Sequence, residues 1–413
     1  MISLFLTFAL AKKPIVIIPS HFGSRLYMNS TYQPFWYCPK SETNKHVWIR
    51  LRDIPSPFLT CLLDSLTLDY DEKSGKLKSK PNTTFSTLDF GGVDGILGIG
   101  PEYFGRYLPV NYELYVKSFI ENGYKVRKDL FSAPYDWRFG LEQPESYYKQ
   151  LRALIENAYS QNGNTKVSLL AHGLGATLVH SFLTDMTEPK WRKTYIDSAT
   201  YVAPAWSGSG QAFFATWRLR FPFIHIRFDT LRQFVASLGA FHATLPNSIA
   251  YANNTLIVGP DGRNYTGSEL IKVLKEHGKL NATQFKAAEQ NFKHTQELPK
   301  QPDFNVNIIF NSGVKTPMGL ILKDWEDVGR PIYGHGDSLV GSKVIDWACE
   351  NWGQAGIRLR CHDALSDEIQ FHHRYLLKNP EIAKLINRWI DSDNYDDVSP
   401  KHTKKLLNFY NEL

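Results

Sequence analysis

Long apolar runs, cysteine and clustered charge are all scarce in this sequence of 413 residues. Beyond the first residues, no stretch approaches the roughly 18 consecutive apolar residues that cross a bilayer, which argues against a transmembrane helix. The four cysteines include no Cys-x-x-Cys pair and the histidines lack ligand spacing, so no metal and no cofactor is indicated. The formal net charge of +6 is dispersed, which argues against a nucleic-acid partner.

What is present is the composition of a large globular protein, with 43% hydrophobic and 21% charged residues. An apolar run over residues 2–10 ends in small residues before Lys12, which predicts a signal peptide over residues 1–11. The alternative for this run is a buried strand. Asn-x-Thr sequons occur at Asn29, Asn82, Asn253, Asn264 and Asn281. We therefore expect a secretory glycoprotein, extracellular or in a lysosomal or vacuolar lumen.

The four cysteines fall into two local pairs, Cys38 with Cys61 and Cys349 with Cys361. In an oxidising compartment these pairs are predicted to form two disulfides. Four reduced thiols in the core become the better interpretation if the signal peptide prediction is wrong.

Strands and helices alternate over most of the chain. Predicted strands occupy residues 14–18, 125–131, 166–170, 200–203 and 305–310, and predicted helices occupy residues 111–122, 142–159 and 176–184. This alternation predicts an α/β fold with a mostly parallel sheet covered by helices on both faces. Between about residues 206 and 302 the alternation breaks down and aromatic residues mix with arginine, which we interpret as a cap or lid inserted over the sheet.

Residues 171–175, Ala-His-Gly-Leu-Gly, lie between a predicted strand and a predicted helix. This is the context of the nucleophile elbow of an α/β-hydrolase, where the central residue is the attacking serine. That residue is Gly173 here, so the oxygen that would form an acyl-enzyme is missing. Glycine relieves elbow strain of roughly 1–3 kcal/mol, and the fold is therefore expected to survive the change.

The acid and the base of an acyl-transfer triad can still be placed. In this fold the triad runs in the order nucleophile, acid, histidine. Asp337 lies on a glycine-rich loop after a predicted strand, and His373 begins a predicted C-terminal helix, with His372 as the alternative base. Each signal alone is weak, because a loop aspartate usually forms a turn and a single histidine usually lies at the surface or in the core.

Together these motifs resemble the lecithin:cholesterol acyltransferase family, which includes lysosomal phospholipase A2-type acyltransferases and phospholipid:diacylglycerol acyltransferases. The segment Pro19 to Leu26 is similar to the family's oxyanion loop, Pro-Gly-x-x-Gly-Ser-x-Leu, except that Ser20 replaces the first glycine. The resemblance implies that the amides of Phe22 and Leu174 donate to the oxyanion.

The same resemblance implies that Asp337 is the catalytic acid and His373 the base, and that the missing serine maps onto Gly173. Where the family usually has Gly-Asp-Gly-Thr-Val around the acid, this chain has Gly-Asp-Ser-Leu-Val. The sequence Tyr-Asp-Trp-Arg at 135–138 is similar to a family signature that we interpret as structural.

Contact with a membrane is a further expectation from the resemblance. It implies that the pair Cys38 and Cys61 closes a membrane-touching loop containing Trp48, within an insertion at about residues 27–65, and that the other cysteine pair forms the second bridge. Aromatic side chains surrounded by arginines suit the membrane interface. We therefore predict that Trp217 and Phe221, in the aromatic and arginine-rich part of the predicted cap, also contact the membrane.

We therefore expect one α/β-hydrolase domain over residues 12–413 that takes phospholipid or another acyl lipid at a peripheral membrane or lipoprotein-like surface. Three hypotheses address Gly173. The chain is a silenced or impaired acyltransferase that still binds lipid, or it hydrolyses lipid with a water activated by His373, or the glycine is engineered or erroneous and the protein is an ordinary acyltransferase. Water activated in this way predicts hydrolysis without acyl transfer, because transfer needs a covalent intermediate.

Overall fold

Strands and helices alternate through the part of the chain that the computed structural model describes, residues 12–48, 57–98, 111–220, 229–327 and 329–391. The predicted signal peptide lies outside these residues. The strands are β1 Ile15–Ile18, β2 Leu26–Ser30, β3 Glu42–Trp48, β4 Asp69–Asp71, β5 Lys76–Lys78, β6 Thr83–Thr87, β7 Leu130–Ser132, β8 Val167–His172, β9 Ile196–Val202, β10 Thr255–Val258, β11 Asn264–Thr266, β12 Asn305–Phe310, β13 Val314–Ile321, β14 Arg330–Gly336 and β15 Leu359–Asp363. The helices are α1 Phe58–Leu66, α2 Glu113–Glu121, α3 Glu145–Gln161, α4 Leu174–Met186, α5 Pro189–Tyr195, α6 Gly210–Arg218, α7 Asp229–Ser237, α8 Gly239–His242, α9 Leu270–His277, α10 Ala282–Phe292, α11 Lys343–Asn351 and α12 Pro380–Asp391.

The central sheet is parallel throughout, in the order β15-β12-β9-β8-β1-β7. Along β1, Ile15 and Ile17 pack on one face and Val16 and Ile18 on the other, as the two-residue period of a strand requires. Helices α3 and α4 cover one face, and α2 and α12 cover the other. A parallel sheet buried on both faces, with an elbow after β8, is the predicted α/β-hydrolase fold, which is confirmed.

Smaller sheets pack beside the central one. A four-stranded sheet in the order β11-β10-β13-β14 supports α6, α9 and α10, whose apolar faces form a core with β10 and β13. Strands β3, β2 and β6 form an antiparallel sheet near the N-terminus, and β4 pairs with β5. The second sheet matters for the site, because β14 leads directly into Asp337.

The predicted strand over residues 125–131 is wrong for most of its length, since only Leu130–Ser132 pairs with β1 as a strand. Residues 125–129 form a turn instead. The carbonyl of Lys125 accepts hydrogen bonds from the amides of Lys128, Asp129 and Leu130, and Arg127 has a positive φ of 63°. Such a turn cannot continue a sheet ladder.

Candidate active site

The connection between β8 and α4 has the geometry of an elbow. Strand β8 ends at His172, helix α4 begins at Leu174, and Gly173 between them has φ 54° and ψ −123°. A side chain at this positive φ is strained. The Gly173 amide donates to the carbonyl of Val202 at 3.0 Å, and the Gly173 carbonyl accepts from the amide of Ala205 at 3.2 Å. The turn is therefore fixed from both sides.

Asp337 and His373 form a buried hydrogen-bonded pair. The Asp337 Oδ2 lies 2.7 Å from His373 Nδ1, and each residue is 3% exposed. The other carboxylate oxygen accepts hydrogen bonds from the amides of Leu339 and Val340 at 3.1 and 2.7 Å. The backbone amide of His373 also donates to the Asp337 carbonyl at 2.9 Å. Because a carboxylate only accepts, Nδ1 carries the imidazole proton and Nε2 presents a lone pair.

His373 does not begin a helix, contrary to the prediction. It lies between two short 3₁₀ turns, Ile369–Phe371 and Leu376–Lys378, and α12 begins only at Pro380. Proline at the first helical position, preceded by Asn379, sets that start, because the Asn379 side chain accepts from the first-turn amides. The alternative base, His372, turns away from the elbow and pairs its Nε2 with the carbonyl of Asp367 at 3.2 Å.

The space that an elbow side chain would occupy is filled by Ser20. A Cβ built on Gly173 would lie 3.5 Å from His373 Nε2 but only 2.4 Å from Ser20 Oγ and 3.1 Å from Ser20 Cβ. In real proteins a Cβ atom essentially never lies within 3.0 Å of a heavy atom to which it is not bonded. The space expected for a water beside His373 is therefore taken by a hydroxyl group.

The loop after β1 holds Ser20 in place through its backbone. The Ser20 amide donates to Tyr112 Oη at 2.7 Å, and the Ser20 carbonyl accepts from the amide of Gly23 at 3.0 Å. The hydroxyl oxygen accepts from the amide of Leu174 at 3.3 Å and lies 3.2 Å from His21 Nδ1. The Leu174 amide, which the sequence predicts as an oxyanion donor, is thus already engaged by Ser20. Phe22, the other predicted donor, has a φ of 60°.

Two histidines beside this space, His21 and His172, are neutral. Burial lowers the pKa of His172 well below its usual value, with smaller electrostatic contributions from the neighbouring His373 and His21. Burial, with a smaller contribution from His373, also lowers the pKa of His21 to about 3. The Tyr112 hydroxyl, 3.2 Å from His172 Nδ1, has its pKa raised by burial. At neutral pH His21, His172 and Tyr112 are therefore hydrogen-bonding groups without charge.

The predicted membrane contacts Trp217 and Trp48 both pack against other aromatic or apolar side chains, Trp217 completely and Trp48 in part. Trp217 is 1% exposed, because α6 lies on β13 and turns this ring into the core of the second sheet. Trp48 is partly buried and packs on Phe22 and Trp137, with ring centroids 5.1 and 4.8 Å apart. The burial of Trp217 contradicts its predicted contact with a membrane, whereas the contact of the partly buried Trp48 stays a prediction. Phe221 lies outside the described residues.

An exposed aromatic patch lies instead next to the first disulfide. Trp36 is 90% exposed, and Tyr37 and Phe58 are 37% and 52% exposed. The disulfide joins Cys38, which directly follows Trp36 and Tyr37, to Cys61, which lies in α1 with Phe58. Sequence reasoning missed this patch, although the run of aromatic residues directly before Cys38 is the signal that could have found it.

Both predicted disulfides form, with Cα atoms 5.7 Å apart for Cys38 and Cys61 and 6.1 Å apart for Cys349 and Cys361. In the Tyr-Asp-Trp-Arg segment, the Arg138 guanidinium is fully buried, pairs with both oxygens of Asp136 and donates to the carbonyl of Leu66. This buried pair has the structural role that the sequence predicts for the segment.

Within the described ranges, no cluster of histidine, cysteine or acidic side chains could hold a metal ion. None of the described helices is long and apolar enough to traverse a bilayer.

Comparison with known proteins gives several matches. Phosphatidylcholine-sterol acyltransferase of Mus musculus is 27% identical over 204 residues, 48% of this chain and 45% of that protein. The chain therefore aligns with less than half the length of that relative. Lecithin-cholesterol acyltransferase-like 1 of Arabidopsis thaliana is 27% identical over 79% of this chain and 80% of its own length. Lysosomal phospholipase A and acyltransferase of Bos taurus is 24% identical over 83% of each.

Among solved structures, a chain of the Tle4-Tli4 complex has a TM-score of 0.49 and 11% identity over 90% of this chain and 96% of its own. The family model described as lecithin:cholesterol acyltransferase matches residues 43–282, which include the elbow; the loop at Ser20, Asp337 and His373 lie outside the match. Since the match covers more than half of the chain, this protein belongs to the lecithin:cholesterol acyltransferase family.

Proposed function

We propose that this protein binds a phospholipid or another acyl lipid at the elbow. Any O-acyltransferase or phospholipase A-type reaction that it catalyses uses groups other than residue 173. The observation that carries the proposal is the buried pair of Asp337 and His373, with Nε2 3.5 Å from the Cβ position of residue 173. Such a pair is the acid and base half of an acyl-transfer site. Relatives named for phosphatidylcholine-sterol acyl transfer and lysosomal phospholipase A activity support an acyl lipid as the ligand.

Residue 173 itself cannot act as the nucleophile in acyl transfer, because glycine has no side-chain oxygen that could carry the acyl group. Lipid binding and oxyanion donors alone leave an acceleration on the order of 10³ over water. The hypothesis of a water activated by His373 loses support from the geometry, since Ser20 Oγ lies 2.4 Å from the Cβ position. Full activity therefore needs another oxygen atom beside His373.

The same proposal includes the surface at which the protein works. The exposed aromatic patch of Trp36, Tyr37 and Phe58 is suited to a peripheral membrane or lipoprotein-like surface, because aromatic rings favour the interface between headgroups and acyl chains. The two disulfides fit the lumen of the secretory route, outside the cell or in a lysosome or vacuole. The signal peptide over 1–11 and insertions at about 27–65 and 206–302 belong to this proposal.

Calorimetry with a short-chain phosphatidylcholine below its micellar concentration tests the binding site. We expect saturable one-site binding to the parent and to His372→Trp, whose side chain turns away from the elbow. His373→Trp should lose binding, because the larger ring fills the space at Gly173. The proposal fails if the folded parent does not bind the lipid, or if both tryptophan variants bind it equally well.

Vesicle flotation tests the surface. Trp36→Ser should release the protein from phosphatidylcholine vesicles. The control is Ile369→Ser, which removes an apolar side chain that is 64% exposed but lies outside the aromatic patch, and this variant should still float with the vesicles. Equal flotation of the parent and Trp36→Ser would refute the role of the patch.

A further inference from the structure

We infer that Ser20 supplies the nucleophilic oxygen that residue 173 lacks, so that Ser20, His373 and Asp337 form a rearranged catalytic triad for acyl lipids. The inference rests on the proposed function, because it requires an acyl lipid at the elbow. The triad keeps the chain order of the fold, nucleophile then acid then histidine. Only the loop that carries the nucleophile has changed.

Strand register brings the two loops together. β1 and β8 are parallel neighbours in which Ile18 pairs with Ala171. Ser20 and Gly173 each follow this pair by two residues, so the two loops present them at the same height above the carboxyl edge of the sheet. A side chain from either loop can therefore fill the space between them, next to His373.

The two positions have exchanged their side chains. Where the family's loop has glycine this chain has Ser20, and where the elbow has serine it has Gly173. The space does not hold both side chains in their present positions, because a Cβ at residue 173 would lie 2.4 Å from Ser20 Oγ. His373 Nε2 lies 3.5 Å from the same point, so the Ser20 hydroxyl and the imidazole border one space.

The loop positions the hydroxyl and leaves it able to turn. Hydrogen bonds to Tyr112 and Gly23 fix the backbone of Ser20, so rotation about χ1 is the motion that moves Oγ. At rest the hydroxyl accepts from the Leu174 amide and faces the neutral imidazole of His21. When a substrate carbonyl takes over the Leu174 amide, the hydroxyl is released to turn toward His373.

The reaction then follows the usual two halves of acyl transfer. Ser20 Oγ attacks the carbonyl carbon of the acyl ester, and His373 Nε2 takes the hydroxyl proton while Asp337 stabilises the imidazolium. The bond to the leaving alcohol breaks, and that alkoxide receives the proton from His373. Water or an acceptor alcohol then attacks the acyl ester on Ser20, gives its proton to His373, and Ser20 leaves and regains a proton.

A fluorophosphonate probe followed by peptide mass spectrometry tests the inference on the full chain. We expect the parent to carry the adduct on Ser20, and Ser20→Ala to lose the label and to release fatty acid at least about 10³-fold more slowly. The double variant Ser20→Gly with Gly173→Ser restores the family arrangement and should carry the adduct on the new serine. His373→Ala should lose labelling in both backgrounds.

The outcomes separate this inference from the proposed function. If the parent is unlabelled, or labelled elsewhere, while the double variant labels at position 173, Ser20 is not the nucleophile but the lipid site stands. If neither protein labels and both bind short-chain phosphatidylcholine, the inference again fails and the binding proposal holds. If neither labels nor binds, both fail. Should Ser20→Ala not fold, the position of the adduct in the parent decides the question by itself.

Discussion

Replacing Gly173 with alanine should destabilise the protein through two separate effects. The residue has a φ of 54°, which is strained for alanine, and its new Cβ would meet the Ser20 hydroxyl. Gly163 offers a matched control, since its φ is 66° and a Cβ there would meet no atom within 4 Å. Gly163→Ala therefore reports the cost of a positive φ alone.

The expected magnitudes follow from these contacts. Strain at a positive φ costs about 1–3 kcal/mol, offset by about 0.4–1 kcal/mol because alanine restricts the unfolded chain. The contact at Gly173 is relieved when Ser20 rotates, which breaks its hydrogen bond with the Leu174 amide and costs about 1 kcal/mol. We expect Gly163→Ala to lose about 1 kcal/mol of unfolding free energy and Gly173→Ala about 2 kcal/mol.

Urea unfolding in a double-mutant cycle measures the difference. In a Ser20→Gly background the extra cost of Gly173→Ala should disappear, which gives a coupling energy of about 1 kcal/mol between the two positions. The Gly163→Ala cost should not depend on Ser20. If Gly173→Ala costs the same with and without the Ser20 side chain, the hydroxyl does not occupy the elbow space and the argument for an exchange of side chains is refuted.

Three further predictions concern stability. Burial lowers the pKa of His242 to about 3, so its stabilising contribution is complete above about pH 6.5 and falls by about 1.4 kcal/mol per pH unit toward pH 3; urea unfolding of His242→Leu should show a pH slope smaller by this amount, while the other buried histidines keep their contributions. Arg138→Met leaves Asp136 without its buried partner and should lower the unfolding free energy by about 3 kcal/mol, whereas a loss under 1 kcal/mol would contradict a structural role. Replacing Cys349 and Cys361 by alanine opens a 12-residue loop and should cost about 3 kcal/mol, measured against the oxidised parent.

The strands and the elbow could be predicted from the sequence because they depend on local patterns. The buried strand β1 is a continuous apolar run, and the turn after β8 is marked by Gly173 and Gly175. The segment at 125–131 misled the prediction, which placed a strand where residues 125–129 form a turn. Short patterns of this kind do not distinguish the two structures.

The position of Ser20 could not be predicted, although the sequence shows that it replaces a glycine. The placement of the Ser20 side chain beside Gly173 depends on the register between β1 and β8, in which Ile18 pairs with Ala171. Register is a property of the assembled sheet. Trp217 shows the same limit, because an aromatic ring beside arginine fits either a membrane face or a core. Only the packing of α6 on β13 decides between these two places.

The distance along the chain between Ser20 and His373 also affects when the site comes into existence. At roughly 5–20 residues per second, the histidine follows the serine out of the ribosome by about 20–70 s. Tyr115 Oη, which donates to the carbonyl of Leu376 at 2.7 Å, helps to dock the last segment only after that time. The newly made N-terminal half contains Ser20 and His21 but lacks the pair of Asp337 and His373, so the rearranged triad is complete only after the C-terminal segment docks.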